Sequence, residues 1–227
     1  MSPRQTSPRG TARHGSSASR NGRPESNGHG VVAASHRGEA ASARGARTRQ
    51  RVAEALIGLL EEGDPAPTAR AIAERAGVSV RLVFHHFEDM EALYQMVGRV
   101  QAERHWSTVR PADPDLPLEE RIERTVQQRS RLFETVGPVR RAAVGLAARH
   151  EEIAEGIESS DALLRQWLEH TFEPELAGAG RGRRDLLAAL DVAASWEAWD
   201  RLRSGQGLAP AAARRAMSLI LGALLGV

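Results

Sequence analysis

Apolar residues recur at three- and four-residue spacing through most of the chain, which is the periodicity of helices that bury one face. The first folded helix is predicted from about 47 to 62, where the periodic apolar positions are Val52, Leu56, Leu59 and Leu60. A second long helix is predicted to begin at an Asp89 cap and to bury Leu93, Val97 and Val100. The sequence contains neither strand-like alternation nor a nucleotide-binding glycine pattern. It therefore predicts an all-α protein.

Residues 68–93 lie between these two helices and read as two short helices joined by a tight turn. Thr68 is placed to cap the first short helix and Ser79 the second, while Gly77 suits the left-handed backbone of the turn. The first helix buries Ile72, Ala73 and Ala76. In the second helix the spacing predicts one packing face made of Val80, Val83, Phe84 and Phe87. The opposite side presents Arg81, Leu82, His85 and His86. We interpret this pattern as a helix–turn–helix that offers a basic face to DNA.

This segment resembles the N-terminal DNA-binding domain of the tetracycline-repressor (TetR) family of bacterial transcriptional regulators. The matching residues are Thr68, Ile72-Ala73, Ala76-Gly77-Val78-Ser79, His85-His86-Phe87 and Glu91-Ala92-Leu93. The resemblance covers roughly residues 45–100 and extends more loosely to a helix near residues 195–203. Three positions depart from the family pattern: Phe84 replaces a usual tyrosine, Arg81 a usual glycine and Met90 a usual lysine. The resemblance implies a dimeric regulator with a ligand cavity between its DNA-binding domain and its dimer helices.

The outward face of the second short helix supplies the candidate DNA contacts. Arg81, Leu82 and His85 are the candidates for base contacts, because an arginine can bind guanine and a leucine can contact a thymine methyl group. Contacts to the DNA backbone are expected from Thr68, Arg70, Ser79, Phe84 and His86. Simpler roles stay open: Arg81 could pair with Glu74, the histidines could be solvated, and Thr68 and Ser79 could only cap helices.

The second half of the chain reads as five further helices, at about 117–136, 138–150, 151–172, 182–204 and 209–226. A proline-rich break at 111–117 is the predicted domain boundary. The predicted domains are an Arg-rich disordered tail (1–44), a helix–turn–helix domain (45–110), and a helical regulatory and dimerisation domain (117–227).

The last two predicted helices carry more apolar surface than one protomer needs, so we predict a two-fold four-helix interface. Its predicted residues are Leu186, Leu190, Ala193, Trp196, Ala216, Leu219, Ile220 and Ala223. The alternative is that both helices belong to the intramolecular core.

Charge is distributed unevenly along a chain that contains no lysine. Residues 1–44 contain seven arginines and two acids, whereas the remainder holds 24 arginines and 27 acids. The tail is interpreted either as a basic arm that adds phosphate contacts or as a solvated extension. Cysteine is absent, which excludes disulfides. No signal peptide or membrane-spanning stretch is apparent, so a cytoplasmic protein without membrane contact is expected.

Catalysis is not expected, because the sequence lacks a nucleophile elbow, a phosphate loop and a carboxylate–histidine signature. Neither a cofactor nor a metal is predicted, since His85 and His86 project about 100° apart on a helix. The expected partners are a palindromic double-stranded DNA operator, a second copy of the chain and a small-molecule effector of unknown identity, with no ligand-binding residue assigned. Two other interpretations remain: a protein-interaction module on a helix–turn–helix scaffold, and a small-molecule carrier or enzyme that uses a C-terminal cavity.

Overall fold

The computed structural model describes the backbone of residues 28–105 and 109–227, and the side chains of residues 42–105 and 109–227. Its helices are α1 (Gly28–Glu61), α2 (Ala69–Ala76), α3 (Val80–His86), α4 (Met90–His105), α5 (Leu118–Ala147), α6 (Glu151–Thr171), α7 (Glu173–Gly178), α8 (Arg183–Ala193), α9 (Trp196–Asp200) and α10 (Pro210–Leu225). A 3-10 turn at Gly180–Gly182 precedes α8, and a π-helical turn at Arg201–Gly205 follows α9. These ranges contain no strand, which confirms the prediction of an all-α fold.

The turn between α2 and α3 forms through the predicted capping residues. The Thr68 hydroxyl oxygen accepts a hydrogen bond from the Ala71 amide at 3.2 Å, and that of Ser79 accepts one from the Leu82 amide at 3.1 Å. Gly77 has a φ of 64° and ends α2 in the left-handed conformation that glycine adopts without a steric cost. Local sequence chemistry therefore fixes where both short helices begin and where the first one ends.

Helices α1 to α4 enclose the first of two hydrophobic cores. Its buried members include Val52, Leu56, Leu60, Ile72, Ala73, Ala76, Val83, Phe87, Leu93, Val97 and Val100. The predicted apolar faces of α1, α2 and α4 are confirmed, with Leu59 only partly buried at the edge of this core. Val139 of α5 also belongs to it, so the core is completed by a residue from the second half of the chain.

The first helix begins earlier than the sequence pattern indicated. Disorder was expected as far as residue 44, yet α1 starts at Gly28. The segment 28–44 has no apolar periodicity, so the sequence pattern does not indicate a helix there. Alanine and arginine, which are strong helix formers, allow a helix to extend beyond its packed part. Residues 1–27 of the predicted tail lie outside the described residues.

Helices α5 to α10 enclose the second core, whose most buried side chains include Leu168, Phe172, Leu176, Leu190, Trp199, Met217 and Leu221. The predicted break at Gly137-Pro138 is wrong, because α5 runs through Pro138 without interruption. An internal proline costs a helix about 3 kcal/mol. Burial of Leu132, Phe133 and Val139 around it offsets that cost, at roughly 1.5–3 kcal/mol for each side chain.

The helix predicted over 182–204 is also interrupted, and the break falls at Ser195. This residue adopts an extended backbone with φ −76° and ψ 163°, and its hydroxyl oxygen accepts from the Ala198 amide at 3.0 Å. Serine favours such a cap because its side chain supplies the partner that the first helical amides lack. Helix α9 therefore starts anew at Trp196.

A buried ion pair joins the start of α5 to the end of α6 and to α7. Arg121 donates to both carboxylate oxygens of Glu175 at 2.7 and 2.6 Å, and also to the carbonyls of Leu116 and Thr171 at 2.9 Å. These charge-assisted bonds fix the three segments against one another. None of the helices in the described ranges is long and apolar enough to cross a bilayer.

Candidate nucleic-acid interface and ligand cavity

Helix α3 presents a row of side chains to solvent on the face opposite the first core. Arg81 and His85 are exposed, as predicted, and Leu82 is half-buried beside them. Among the described residues Arg81 forms no ion pair, and Glu74, the acid considered as its partner, is bound by Arg70 at 3.2 Å. The guanidinium of Arg81 is therefore free to contact a base edge or a phosphate.

Val80 and Phe84 belong to this exposed row, and the prediction that they pack against the core is wrong. Val80 is 38% exposed and Phe84 47% exposed, whereas Val83 and Phe87 are buried. A helix of seven residues makes only a narrow line of contact with its neighbours. Phe84 follows Val83 directly and so projects about 100° away from it, beyond that line. Two apolar side chains consequently flank the basic groups on the outward face.

The predicted backbone-contacting residues Thr68, Ser79 and Arg70 are all exposed. The hydroxyl oxygens of the two capping residues accept amide bonds, which leaves each hydroxyl proton available to donate to a phosphate. Arg70 pairs with Glu74 across one helical turn, and both side chains are largely solvated. Such a pair contributes only about 0.3–0.5 kcal/mol, so a phosphate can readily replace the carboxylate.

The two histidines at the end of α3 occupy different environments. Their rings meet edge to face with centroids 5.2 Å apart. His86 is half-buried, and its Cε1 atom lies near Gly45 of α1. Burial, together with the positive charges of His85 and Arg49, lowers the pKa of His86 below its ordinary value. The neutral form of His86 is therefore favoured and its ring packs towards α1, while His85 faces solvent.

Arg51 of α1 supports the turn, a role that the sequence pattern did not indicate. Its guanidinium donates to the carbonyl of Ala76 and, at 3.4 Å, to that of Gly77. These carbonyls end α2, where a cation is also favoured by the helix dipole. The contact joins residues that are 25 positions apart, so no local sequence pattern indicates it. Arg51 positions α3 indirectly by fixing the turn that precedes it.

A cavity of about 560 Å³ lies behind the helix–turn–helix, among α4, α5, α6 and Trp196. This volume is typical of sites for small organic ligands. Phe133 and Arg140 of α5 are among the residues that line it.

Helix α4 connects this cavity to the first core. Leu93, Val97 and Val100 face that core, and the next residue, Gln101, lines the cavity. The start of α4 also contacts α6, since the imidazole Nδ1 of His150 meets the carboxylate of Glu91. A change in the cavity can therefore reach the base of the helix–turn–helix through α4 and through α6.

The exposed apolar surface at the C-terminal end of the chain differs in part from the predicted interface. Leu190, Ala193 and Trp196 are buried within the protomer, so they have no free surface to offer a partner. Leu186 and Ala216 are partly buried against the same core. The outward face of α10 instead exposes Leu219 (74%), Ile220, Ala223 and Leu224, and α8 exposes Val192 (70%). We name these five residues the apolar patch.

Residues 53–97 match the model of the bacterial regulatory proteins of the tetR family. A solved transcriptional regulator from Rhodococcus sp. Rha1 superposes with a TM-score of 0.60 at 22% identity, covering 78% of this chain and 96% of that one. A second structure from Rhodococcus sp., described as a TetR-family transcriptional regulator, gives a TM-score of 0.54 at 14% identity and covers 79% and 99% of the two chains. These likenesses show a shared fold. No curated protein sequence matches the chain.

The helix–turn–helix with its exposed row, joined to a second helical core, defines the class of a DNA-binding regulator. The match over residues 53–97 confirms the resemblance to the TetR family that the sequence of the helix–turn–helix indicated.

Proposed function

We propose that this protein is a dimeric transcriptional repressor that binds a palindromic DNA operator and leaves it when a small molecule enters the cavity. The observation that carries the proposal is the exposed row on α3, where the unpaired Arg81 lies beside His85 and the apolar Val80 and Phe84. Arginine can bind a guanine bidentately, and apolar groups can contact thymine methyls. Repression then follows from occupation of the promoter in the cytoplasm and needs no catalysis.

Dimerisation is supported by the apolar patch, which is defined by Val192, Leu219, Ile220, Ala223 and Leu224. A two-fold axis through such a patch pairs it with its own copy, so one surface supplies both sides of the contact. Two α3 helices set about 34–36 Å apart would read successive major grooves on one side of the duplex. The domain division near 111–117, with helix–turn–helix and regulatory parts on either side, is part of this proposal.

Release is proposed to act through α4, one face of which packs in the first core while another face lines the cavity. A ligand that binds one arrangement of α4 better than another shifts the population of the two arrangements. The His150–Glu91 contact links the start of α6 to the same helix. The separation of the two α3 helices in the dimer would change accordingly, and the protein would dissociate from its operator.

Footprinting with the full chain on the DNA upstream of its own gene tests this function. We expect protection of a palindrome whose half-sites are one helical turn apart, at nanomolar concentrations typical of specific binding. Unspecific coverage of the duplex, or no protection there or on neighbouring promoters, would contradict the proposal. A chain that binds small molecules but no DNA would instead favour the carrier interpretation.

A further inference from the structure

Val80 and Phe84 form a small apolar surface on the outward side of α3. Val80 is 38% exposed and Phe84 is 47% exposed, whereas every other leucine, isoleucine, valine and phenylalanine within residues 42–105 is buried or half-buried. Single apolar side chains are common on protein surfaces. A neighbouring pair, in a region that otherwise exposes none, indicates a surface that a partner covers.

The exposed side of α3 is divided between apolar and basic side chains. A helix turns about 100° for each residue, so Val80 and Phe84 lie about 40° apart around its axis. The same angle separates the two exposed basic residues, Arg81 and His85. The four side chains together cover an arc of about 140°, with the apolar pair on one side and the basic pair on the other. Phe84 and Arg81 are therefore neighbours at the centre of this arc.

The basic side of the arc indicates which partner covers the apolar side. Arg81 has no ion pair among the described residues, so its charge is available to a polyanion such as DNA. Phe84 has no polar atom to offer a phosphate, so its ring must face another part of the duplex. In the major groove, the apolar group that base edges present is the C5-methyl group of thymine.

The geometry of α3 also limits how far apart these contacts lie. Phe84 lies three residues beyond Arg81, which corresponds to about 4.5 Å along the helix axis. Successive base pairs of a duplex are spaced by about 3.4 Å. A thymine that contacts Phe84 therefore lies within about two base pairs of the base that Arg81 reads. Val80 lies one turn before Phe84 and widens the apolar surface towards the start of α3.

We propose that Phe84, together with Val80, selects thymine in the operator through its C5-methyl group, next to the base that Arg81 reads. The inference rests on the proposed binding of α3 to DNA and adds the base that the apolar side of the helix recognises. It assigns Phe84 to a base contact rather than to the contact with the DNA backbone expected from the sequence.

Replacement of thymine by uracil tests this contact, because it removes the methyl group and leaves the hydrogen-bonding groups of the base unchanged. A preferred site is first selected with the full chain from a pool of random duplexes, so the test does not depend on the position of the operator in the genome. Each thymine of a half-site is then replaced by deoxyuridine, at the equivalent position of both half-sites. Fluorescence anisotropy gives the dissociation constant of each duplex.

We expect a thymine in each half-site at which uracil weakens binding. Loss of one buried methyl group should weaken binding about three- to fivefold, and the change in both half-sites should weaken it about ten- to 25-fold. The sensitive thymine should lie within about two base pairs of the position at which Arg81→Ala relaxes the base preference. A selected site at which no uracil weakens binding would overturn the proposal.

Substitutions on α3 identify the side chain that contacts the methyl group. Phe84→Ala should reduce the difference between thymine and uracil to less than about twofold at the sensitive position, and Val80→Ala should reduce it by a smaller factor. Arg81→Ala is the matched control, in which affinity falls but the difference between thymine and uracil remains. All three side chains are exposed, and circular dichroism checks that the variants are folded. An undiminished difference in Phe84→Ala would assign the methyl effect to another residue or to the shape of the duplex, and would refute the inference.

Failure of this inference and failure of the proposed function give different results. A chain that binds its selected site equally well with thymine and with uracil would retain the role of a DNA-binding regulator and lose the methyl contact. A chain that selects no sequence from the random duplexes would lose the proposed function itself, and the apolar side of α3 would then belong to a protein partner.

Discussion

At the scale of single residues, Arg81 is the side chain on which the proposed reading of DNA most depends. It lies near the start of α3, is exposed, and forms no ion pair in the described part of the chain. Arg70 is also exposed but lies on α2 and pairs with Glu74. The two arginines therefore suit different tasks: Arg81 for a base edge and Arg70 for the phosphate backbone.

Replacing Arg81 by alanine should weaken operator binding by roughly 1–3 kcal/mol and relax the preference at one base position. Competition between the operator and its single-base variants measures this effect. Arg70→Ala is the matched control, because loss of a phosphate contact weakens all sequences alike. An equal loss on operator and random duplexes for Arg81→Ala would assign Arg81 to the backbone.

Glu175 controls stability through its pairing with Arg121. Hydrogen bonds from that guanidinium hold the pKa of the Glu175 carboxyl below its ordinary value. A carboxylate with a depressed folded-state pKa stabilises the fold above its unfolded pKa of about 4.3. This contribution is lost as the pH falls through the lower folded-state pKa.

Glu175→Gln should therefore lower the free energy of unfolding by roughly 1.5–3 kcal/mol at pH 7, because charged hydrogen bonds are lost. The difference from the parent protein should shrink below about pH 4. Urea denaturation across this pH range measures it. In the control Glu120→Gln, which removes a solvated pair with Arg124, the loss should stay near 0.5 kcal/mol or less. A difference for Glu175→Gln that persists unchanged in acid would contradict this account.

At the scale of elements, local chemistry made the helix–turn–helix predictable. Thr68, Gly77 and Ser79 determine their helix ends through bonds within three or four residues, so the sequence alone indicates them. The continuity of α5 through Pro138 depends instead on burial against distant helices. The Arg51 contact and the cavity likewise join residues from separate helices, which periodicity cannot bring together.

The sequence also could not show which faces of α8 and α10 are buried and which are exposed. Spacing identified α8 and α10 as apolar, but it did not separate Leu190, which is fully buried, from Leu219, which is 74% exposed. On a helix with apolar residues on several sides, only the packing of its neighbours decides which side stays free.

Leu219→Asp should dissociate the proposed dimer and leave the protomer folded, because the side chain lies outside the core. A two-fold contact contains the substituted position twice, and each lost leucine contributes about 1.5–3 kcal/mol. The dimer affinity should thus fall at least about a hundredfold, as measured by sedimentation velocity. Val144→Asp, at an exposed apolar position on α5, is the control and should have no effect. A dimer that survives Leu219→Asp would place the interface elsewhere.

At the scale of the whole molecule, the N-terminal end of the chain carries net positive charge and the remainder carries net negative charge. Residues 1–27 contain five arginines and one acid, while residues 45–227 are net acidic. An acidic body is repelled by DNA except where its basic groups are gathered, so a basic arm would raise affinity without adding specificity.

Deletion of residues 1–27 should weaken binding to operator and random DNA alike and reduce the salt dependence of binding. Each phosphate contact that is lost lowers the slope of log K against log salt by about 0.9. Affinity measured between low and physiological salt gives this slope. Replacement of the five arginines by glutamine in the full-length chain removes the charge without changing the length of the chain, and so serves as the control. An unchanged slope in both proteins would show that the arm stays off the DNA.

Helix α5 limits how far this regulator can be divided. Leu132 and Phe133 pack in the second core, and Val139, two turns further on, completes the first. A DNA-binding fragment ending near residue 110 would lose Val139 and expose the apolar residues that it covers. A hybrid that transfers this operator specificity to another sensory domain must therefore carry α5 with it, since the DNA-reading part is not portable on its own.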